Sequence, residues 1–208
     1  MKYEKEYQEL AHNYLCKDED YYVYRACLAF KDYFYKNINY LEGKKLLEYG
    51  CGLGQNIYYL RSFCEVKGYD ISKFAVDFCK KKVIDATTKM FGMFDVIFCR
   101  HVLEHTIDPY KHLKIIHRHL KKGGILDLIL PYERHKMVNF KPDHNGHLYS
   151  WNFRCINNLL ARTGFKVVKN EVLVERDGYK TFNCDNLATK FAGWIRGCRE
   201  LRIVAVKK

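Results

Sequence analysis

Apolar and polar residues follow a helical spacing through the first forty residues of the chain. Large apolar side chains recur there every three or four positions, which is the spacing of one face of a helix. The first face consists of Tyr3, Tyr7, Leu10 and Tyr14, and the second of Val23, Cys27, Phe30 and Phe34. The acidic stretch at residues 18–20 lies between them and could begin the second helix. We therefore predict a helical segment over residues 1–40.

Short apolar runs alternate with helical patterns from residue 45 onward. These runs fall at about residues 45–50, 65–70, 83–86, 94–100, 125–131, 166–174 and 202–206. Strands that alternate with helices favour an α/β fold, in which helices cover both faces of a mostly parallel sheet. The pattern predicts a sheet of seven strands in this order.

A glycine-rich turn follows the first predicted strand. Glu48 lies at the strand end, and Gly50, Gly52 and Gly54 alternate with other residues after it. Glycine lets the backbone turn sharply and lets a ligand approach closely. A helix predicted to start at residue 56 would point its first N–H groups at that ligand. The dinucleotide fingerprint needs a glycine where the chain has Gln55, so the turn favours a different cofactor.

Five segments together resemble the class I S-adenosylmethionine-dependent methyltransferases, within them the ubiquinone-biosynthesis-type (methyltransferase type 11/23-like) group. The segments are Glu-x-Gly-x-Gly-x-Gly at 48–54, Asp-x-Ser-x-x-Ala at 70–75, Phe-Asp-Val-Ile at 94–97, Val-Leu-Glu-His at 102–105 and Leu-Lys-Lys-Gly-Gly at 120–124. The resemblance implies a Rossmann-like seven-stranded, mostly parallel sheet with helices on both faces and an antiparallel last strand. It also implies one domain over residues 1–208, with a helical cap at 1–40 over a core at 41–208.

The resemblance implies S-adenosylmethionine as the cofactor and gives roles to residues at the strand ends. A carboxylate at Glu48 suits the ammonium of the methionine part, directly or through water. Asp70 would accept both ribose hydroxyls, Ile71 would pack on the adenine, and Asp85 would accept from the adenine amino group. An alternative for Asp70 is a structural charge at a helix N-terminus. The full predicted cofactor set is Glu48, Gly50, Gly52, Gly54, Asp70, Ile71, Asp85, Ala86 and Arg100.

Histidines are the candidates for the acceptor side of a methyl transfer. A hydroxyl acceptor must lose a proton, and histidine has a suitable pKa for a general base. We predict that His105, His144 or His147 takes or orients this proton, because each follows a strand at the edge where such sheets bind ligands. A hydrogen bond to backbone is the alternative for each, and more so for His101. The histidine pairs could also bind metal, but no Cys or acidic ligand set stands out beside them, so none is predicted.

Composition narrows the partners and the compartment. The net charge of +12, from 36 basic and 24 acidic residues, favours anionic partners, although a solvated basic surface explains it equally well. Nine cysteines contain no C-x-x-C pair, which disfavours a zinc knuckle and fits free thiols in a reducing compartment. No apolar stretch reaches the length of a membrane span or forms a signal core, so we expect a cytoplasmic protein.

The predicted function is methyl transfer from S-adenosylmethionine to a small-molecule or saccharide acceptor, with O-methylation favoured and an anionic acceptor allowed. RNA, such as tRNA, is the alternative acceptor. It is less favoured because the chain has neither Asn/Asp-Pro-Pro-Tyr after the fourth strand nor a Pro-Cys nucleophile. A cofactor-binding protein without turnover is a further alternative, and NAD-dependent oxidation is disfavoured by Gln55. The pattern does not indicate the oligomeric state.

Overall fold

The computed structural model describes residues 5, 14–132, 146–174 and 199–208 of the chain. The chain divides into two compact units. One contains residues 1–99 and 118–125, and the other contains residues 100–117 and 126–208. The single domain with a cap at 1–40 and a core at 41–208 stays a prediction.

The described part of the N-terminal segment is helical, as predicted. Helix α1 spans Glu19–Ala29 and continues through a π-helical turn, Phe30–Phe34, and a 3-10 turn, Tyr35–Asn37, into helix α2, Ile38–Leu41. The side chain of Asp18 accepts a hydrogen bond from the Tyr21 N–H at 2.9 Å, so the acidic stretch begins the helix as expected.

The buried face of this segment shares Phe34 with the predicted face and is otherwise offset from it by one residue. It consists of Tyr22, Ala26, Ala29, Tyr33 and Phe34. The predicted residues Val23, Cys27 and Phe30 are only half-buried. The offset has a polar cause, since the Tyr22 hydroxyl donates to the Leu53 carbonyl at 3.1 Å. The spacing of apolar residues along the chain gives no information about such a hydrogen bond.

Four strands follow in the order predicted. They are β1, Lys45–Tyr49; β2, Glu65–Tyr69; β3, Ala86–Thr87; and β4, Phe94–Arg100. Strand β1 pairs in parallel with β2 and with β4, and β2 pairs in parallel with β3. Helix α3, Lys73–Lys81, connects β2 to β3, as parallel pairing requires. It begins with Ser72, whose hydroxyl accepts from the Ala75 N–H at 3.2 Å.

The remaining elements complete one sheet. After β4 come a 3-10 turn, Leu103–His105; helix α4, Pro109–His119; strand β5, Leu120–Pro131; helix α5, Phe153–Thr163; and strands β6, Phe165–Val174, and β7, Arg199–Lys207. In the part of the chain that the structure describes, the sheet has seven strands in the order β3-β2-β1-β4-β5-β7-β6. Strand β7 runs antiparallel to β6. The predicted α/β class, the strand number and the antiparallel last strand are therefore confirmed.

The helix predicted directly after the glycines is wrong. Residues 52–59 form successive turns and a bend, and only Leu60–Ser62 form a short 3-10 helix. The N–H groups of Ile57 and Leu60 donate to carbonyls three residues back, at 3.2 and 3.1 Å. The segment contains an Asn, an Ile and two tyrosines in succession, and these residue types have lower helix propensity than Ala or Leu.

Side chains and a glycine define helix ends in the second half of the chain. Asp108 accepts from the Lys111 N–H at 2.9 Å at the start of α4, and Gly164 ends α5 with a φ of 100°. Helix α5 begins at Phe153, and the Asn152 side chain accepts from the Cys155 N–H. Helix α4 ends at His119, and β5 begins at Leu120. Within the described residues, no helix is long and apolar enough to cross a membrane.

Candidate functional site

The glycine turn after β1 is bound to the end of β2 by three hydrogen bonds. The N–H groups of Gly50 and Cys51 donate to the Tyr69 carbonyl at 2.7 and 2.9 Å. The N–H of Gly52 donates to Oδ2 of Asp70 at 2.8 Å. The turn and the carboxylate that the sequence assigned to one cofactor are therefore joined directly in the fold.

Two of the glycines serve different needs. A Cβ at Gly54 would lie 2.7 Å from the Ile84 side chain and 2.9 Å from Sγ of Cys79, so this position is closed by packing. A Cβ at Gly52 would have no atom within 4 Å, and the residue has a φ of 49°. The turn is thus packed on one side and open at Gly52, which fits a ligand that approaches the backbone closely.

Asp70 combines the predicted ligand position with a structural role. Its Oδ1 accepts from the Ser72 N–H at 2.9 Å, next to the start of α3, while its Oδ2 holds Gly52. A carboxylate has about four acceptor sites, and these two bonds occupy one on each oxygen. The ribose role stays a prediction. The neighbouring Ile71 is 59% exposed, as a side chain that packs on adenine must be before the ligand binds.

Glu48 is fully buried beneath the turn. Its Oε1 accepts a hydrogen bond from the Asn56 side chain at 2.6 Å. Asn56 received no role from the sequence, and its position just after the last glycine of the turn is the only signal that could have indicated it. Because Glu48 is covered, contact with a ligand ammonium needs a bridging water or a shift of Asn56, and that contact stays a prediction.

Helix α1 packs on the glycine turn through Tyr22. Tyr22, Leu15 and Leu53 form a buried cluster, and the Tyr22 hydroxyl donates to the Leu53 carbonyl. Burial raises the pKa of Tyr22, so this hydroxyl stays a donor. On the other side of the ring, Lys82 lies 4.7 Å from the ring centre and also pairs with Glu19 of α1. The N-terminal helix therefore covers the turn.

Asp85 directly precedes β3, Ala86 is the first residue of β3, and Arg100 is the last residue of β4. Asp85 is largely exposed and pairs with the Lys67 ammonium at 2.9 Å, and Ala86 is buried in β3. The Arg100 guanidinium donates to Oε1 of Glu200 in β7 at 2.9 Å. The cofactor roles of Asp85, Ala86 and Arg100 stay predictions.

Glu200 is a buried carboxylate that sequence reasoning missed. It accepts from Arg100, and His101 Nε2 lies 2.9 Å from its Oε1. Burial alone would raise the pKa of Glu200, but the Arg100 charge and the His101 contact outweigh it and hold the pKa at about 2. His101 has a positive φ of 53° at the end of β4. Its ring contacts the Glu200 carboxylate, whereas the alternative predicted for it was a hydrogen bond to backbone.

Two of the three predicted acceptor histidines come together with a second carboxylate. The ring centres of His105 and His147 are 4.8 Å apart. A carboxylate oxygen of Glu104 and one ring nitrogen each of His105 and His147 all lie within 4.8 Å of one another. Glu104 is fully buried. We call these residues the Glu104 cluster. Glu104 was missed as a site residue, although it directly precedes His105 in the Val-Leu-Glu-His run. His144 lies outside the described residues.

Comparison with known proteins assigns the family. The model of the methyltransferase-domain family matches residues 20–170, well over half of the chain. The chain belongs to this family, within the class I S-adenosylmethionine-dependent methyltransferases. The resemblance found in the sequence motifs is thereby confirmed.

Curated relatives share parts of the chain and differ in substrate. The chain is 32% identical over 99 residues to a ubiquinone biosynthesis O-methyltransferase of Pseudomonas aeruginosa, covering 40% of this chain and 43% of the relative. It is 31% identical over 106 residues to phosphoethanolamine N-methyltransferase 1 of Zea mays, covering 44% and 21%. It is 30% identical over 126 residues to a tRNA U34 carboxymethyltransferase of Helicobacter hepaticus, covering 49% and 40%. The chain thus matches less than half the length of each of these proteins.

Solved structures share the fold over nearly the whole chain. A chain in the complex of the Haloferax volcanii Trm112 methyltransferase activator with a methyltransferase has a TM-score of 0.68 and 18% identity, covering 95% of both chains. The magnesium protoporphyrin IX methyltransferase of Synechocystis PCC 6803, solved with bound SAH, has a TM-score of 0.64 and 14% identity, covering 96% and 99%. Family and fold together support S-adenosylmethionine as the methyl donor, and the open, carboxylate-bound glycine turn fits it.

Proposed function

We propose that this chain transfers the methyl group of S-adenosylmethionine to a hydroxyl oxygen of a small-molecule or saccharide acceptor. The Glu104 cluster is the observation that favours oxygen as the methylated atom. A hydroxyl must lose a proton during methyl transfer, whereas a sulfur or amine nucleophile is less dependent on a base. Two imidazoles and a buried carboxylate, from the turn after β4 and from the segment before α5, would supply the groups that such a proton transfer needs.

On the cofactor side, the residues of the chain bind and orient. When bound, S-adenosylmethionine supplies an electrophilic methyl group on a sulfonium. Gly52 would offer an open backbone surface to it, Asp70 would hold its ribose, and Glu48 would compensate its ammonium charge. The three hydrogen bonds between the glycine turn and β2 fix these groups before the ligand arrives, which lowers the entropy lost on binding.

On the acceptor side, the Glu104 cluster would hold the acceptor oxygen and remove its proton. His105 ends the 3-10 turn that follows β4, and ligands of such folds bind outside the carboxyl ends of the strands. Glu104, fully buried beside it, would orient the imidazole and stabilise the positive charge that a proton brings. The O-methyltransferase among the relatives supports this choice, while the N-methyltransferase shows that relatives also act at nitrogen.

The cluster predicts a loss of turnover without a loss of cofactor. We expect His105→Ala and His147→Ala each to lower turnover about 10²–10⁴-fold, the range typical of a lost general acid or base. SAH affinity should stay within about twofold, a difference of roughly 0.4 kcal/mol. His119→Ala is the matched control, since His119 contacts the Gly92 carbonyl and not the cluster. Near-normal turnover in both cluster variants would contradict the acceptor role.

Labelled methyl transfer into a host extract tests the acceptor class. The extract would be incubated with the protein and labelled S-adenosylmethionine, then separated into RNA, protein, lipid, glycan and small metabolites. We expect the label in the small-metabolite or glycan fraction. Label confined to RNA or protein would contradict the proposal, and absence of label despite SAH binding would identify a cofactor-binding protein without turnover.

An RNA acceptor is the second candidate, favoured by the net charge of +12 and by the tRNA-modifying relative. RNA binding that neutralises several phosphates weakens steeply as salt rises. We would therefore measure binding of bulk tRNA between 50 and about 200 mM salt. A steep slope together with label in RNA would favour this candidate over the small-molecule acceptor.

A further inference from the structure

We propose that Cys51 and Cys79 form a reversible disulfide that weakens cofactor binding when the protein is oxidised. Cys51 lies in the glycine turn between Gly50 and Gly52, and Cys79 lies in α3. Both are buried free thiols, and their Sγ atoms are 4.0 Å apart. The pair therefore connects the turn proposed to bind S-adenosylmethionine with the helix that follows β2. The effect on the cofactor rests on that proposed role of the turn, whereas formation of the disulfide does not.

Two glycines make room for the sulfur atoms. A Cβ at Gly68 in β2 would lie 2.7 Å from Sγ of Cys51, and a Cβ at Gly54 would lie 2.9 Å from Sγ of Cys79. Both distances are below 3.0 Å, closer than real Cβ atoms come to their neighbours. Each thiol therefore fills space that a larger residue at the glycine would need. This packing places the two thiols side by side where the turn, β2 and α3 meet.

The thiols also contact Gly52, the open position of the turn. Sγ of Cys79 lies 3.4 Å and Sγ of Cys51 lies 3.8 Å from the Gly52 carbonyl oxygen, within reach of an S–H donor. The N–H of Gly52 donates to Asp70, the residue proposed to hold the cofactor ribose. A change at the two sulfur atoms therefore reaches the cofactor side of the turn through a single residue.

A disulfide would change both the distances and the hydrogen-bond donors at this point. An S–S bond is about 2.05 Å long, so the two sulfur atoms must approach each other by roughly 2 Å. A disulfide has no S–H, so the Gly52 carbonyl would lose both thiol donors. Because protein interiors are closely packed, movement of Cys51 would be passed on to the backbone of the turn. We therefore expect Gly52 to shift from the position that the cofactor needs.

Because both thiols are buried, the proposed oxidant is a small hydroperoxide. One thiolate attacks the O–O bond of hydrogen peroxide, which forms a sulfenic acid and releases hydroxide that is protonated to water. The second thiolate attacks the sulfenic sulfur, the S–S bond forms, and the departing hydroxide also becomes water. Two thiols and one peroxide thus give one disulfide and two waters, and a dithiol reverses the reaction. The contact with Cys79 and burial raise the pKa of Cys51, so its thiolate is scarce and the oxidation is slow.

Peroxide treatment of the reduced, full-length protein tests the pair. Hydrogen peroxide is added and then removed with catalase, disulfides are located by peptide mass spectrometry, and SAH affinity is measured by calorimetry. We expect a disulfide between Cys51 and Cys79. We also expect SAH affinity to fall by about 5–150-fold, the usual range for two coupled sites. Dithiothreitol should restore the affinity.

Serine variants separate the pair from other effects of peroxide. Cys79→Ser keeps a hydrogen-bond donor and cannot form the disulfide. Its SAH affinity should be the same before and after peroxide, whatever its value relative to the wild type. Cys155→Ser is the matched control, because Cys155 is an exposed thiol of α5, and this variant should respond to peroxide like the wild type. If thermal unfolding shows that Cys79→Ser does not fold, Cys51→Ser gives the same comparison.

The outcomes for the pair and for the proposed function are distinct. Absence of the disulfide, unchanged SAH affinity of the bridged wild type, or an equal loss of affinity in Cys79→Ser would overturn the proposal. Methyl transfer that continues unchanged in the fully bridged protein would overturn the switch and leave the proposed function intact. SAH binding that is lost on bridging, in a protein whose reduced form methylates no small metabolite or glycan, would support the switch and contradict that function.

Discussion

Asp70 gives the sharpest test of the cofactor side, because its carboxylate has two kinds of partner. In the structure it accepts from the N–H groups of Gly52 and Ser72, at 2.8 and 2.9 Å. Each hydrogen bond to a charged group is worth about 1.5–3 kcal/mol. Asp70→Ala should therefore lower the free energy of unfolding of the ligand-free protein by about 3–6 kcal/mol, with backbone relaxation reducing the loss.

The same substitution should weaken cofactor binding beyond its effect on folding. Two ribose hydroxyl bonds of about 1.5–3 kcal/mol each correspond to roughly a 10²–10⁴-fold loss of SAH affinity. Asp70→Asn keeps the shape and one good acceptor, so its losses should be intermediate. Asp77→Ala is the matched control, since Asp77 is an exposed residue of α3 that pairs with Lys73. Calorimetric SAH affinity within about threefold of wild type in Asp70→Ala would refute the ribose assignment, whatever its stability.

Three further predictions follow from buried groups and from charge. Glu200 contributes stability that is complete above its ordinary pKa of 4.5 and is lost as the pH falls towards about 2. This shift in pKa corresponds to roughly 3 kcal/mol of unfolding free energy. In Glu200→Gln, the unfolding free energy measured with urea should therefore fall less steeply as the pH is lowered. An unchanged pH dependence would contradict the ion-pair group of Glu200, Arg100 and His101. Asp127→Ala removes the carboxylate that lies 2.6 Å from the buried Arg202 guanidinium. It should lower the free energy of unfolding, measured by thermal unfolding, by about 3–5 kcal/mol. A loss under about 1 kcal/mol would refute the stabilising role of this pair. If the net charge of +12 attracts an anionic acceptor, added salt should raise the acceptor KM and hardly change SAH affinity. An equal effect of salt on both quantities would indicate that the charge only forms a solvated surface.

The strands in their order along the chain, and the glycine turn, could be predicted from the sequence because each depends on local chemistry. Short apolar runs and glycines at fixed spacing indicate strands and turns without knowledge of distant contacts. The bond from the Gly52 N–H to Asp70 then follows, since parallel neighbouring strands bring their carboxyl ends to the same edge.

The features that could not be predicted depend on contacts between distant residues. Tyr22 is buried one position away from the apolar stripe because its hydroxyl reaches Leu53, thirty-one residues along the chain. Glu200 is buried because Arg100, one hundred residues earlier, donates to it. Glu104 was visible beside His105, but only the fold shows that His147 joins them. Apolar periodicity carries no information about such polar partners.

Ligand-dependent thermal unfolding of the wild-type protein tests whether the chain binds S-adenosylmethionine, as proposed for the glycine turn and Asp70. SAH and NAD would be added separately over the same concentration range. A ligand at about 100 times its Kd stabilises the folded state by about 2.7 kcal/mol. We predict a concentration-dependent rise in Tm with SAH and no rise with NAD. A rise with NAD and none with SAH would contradict S-adenosylmethionine as the cofactor.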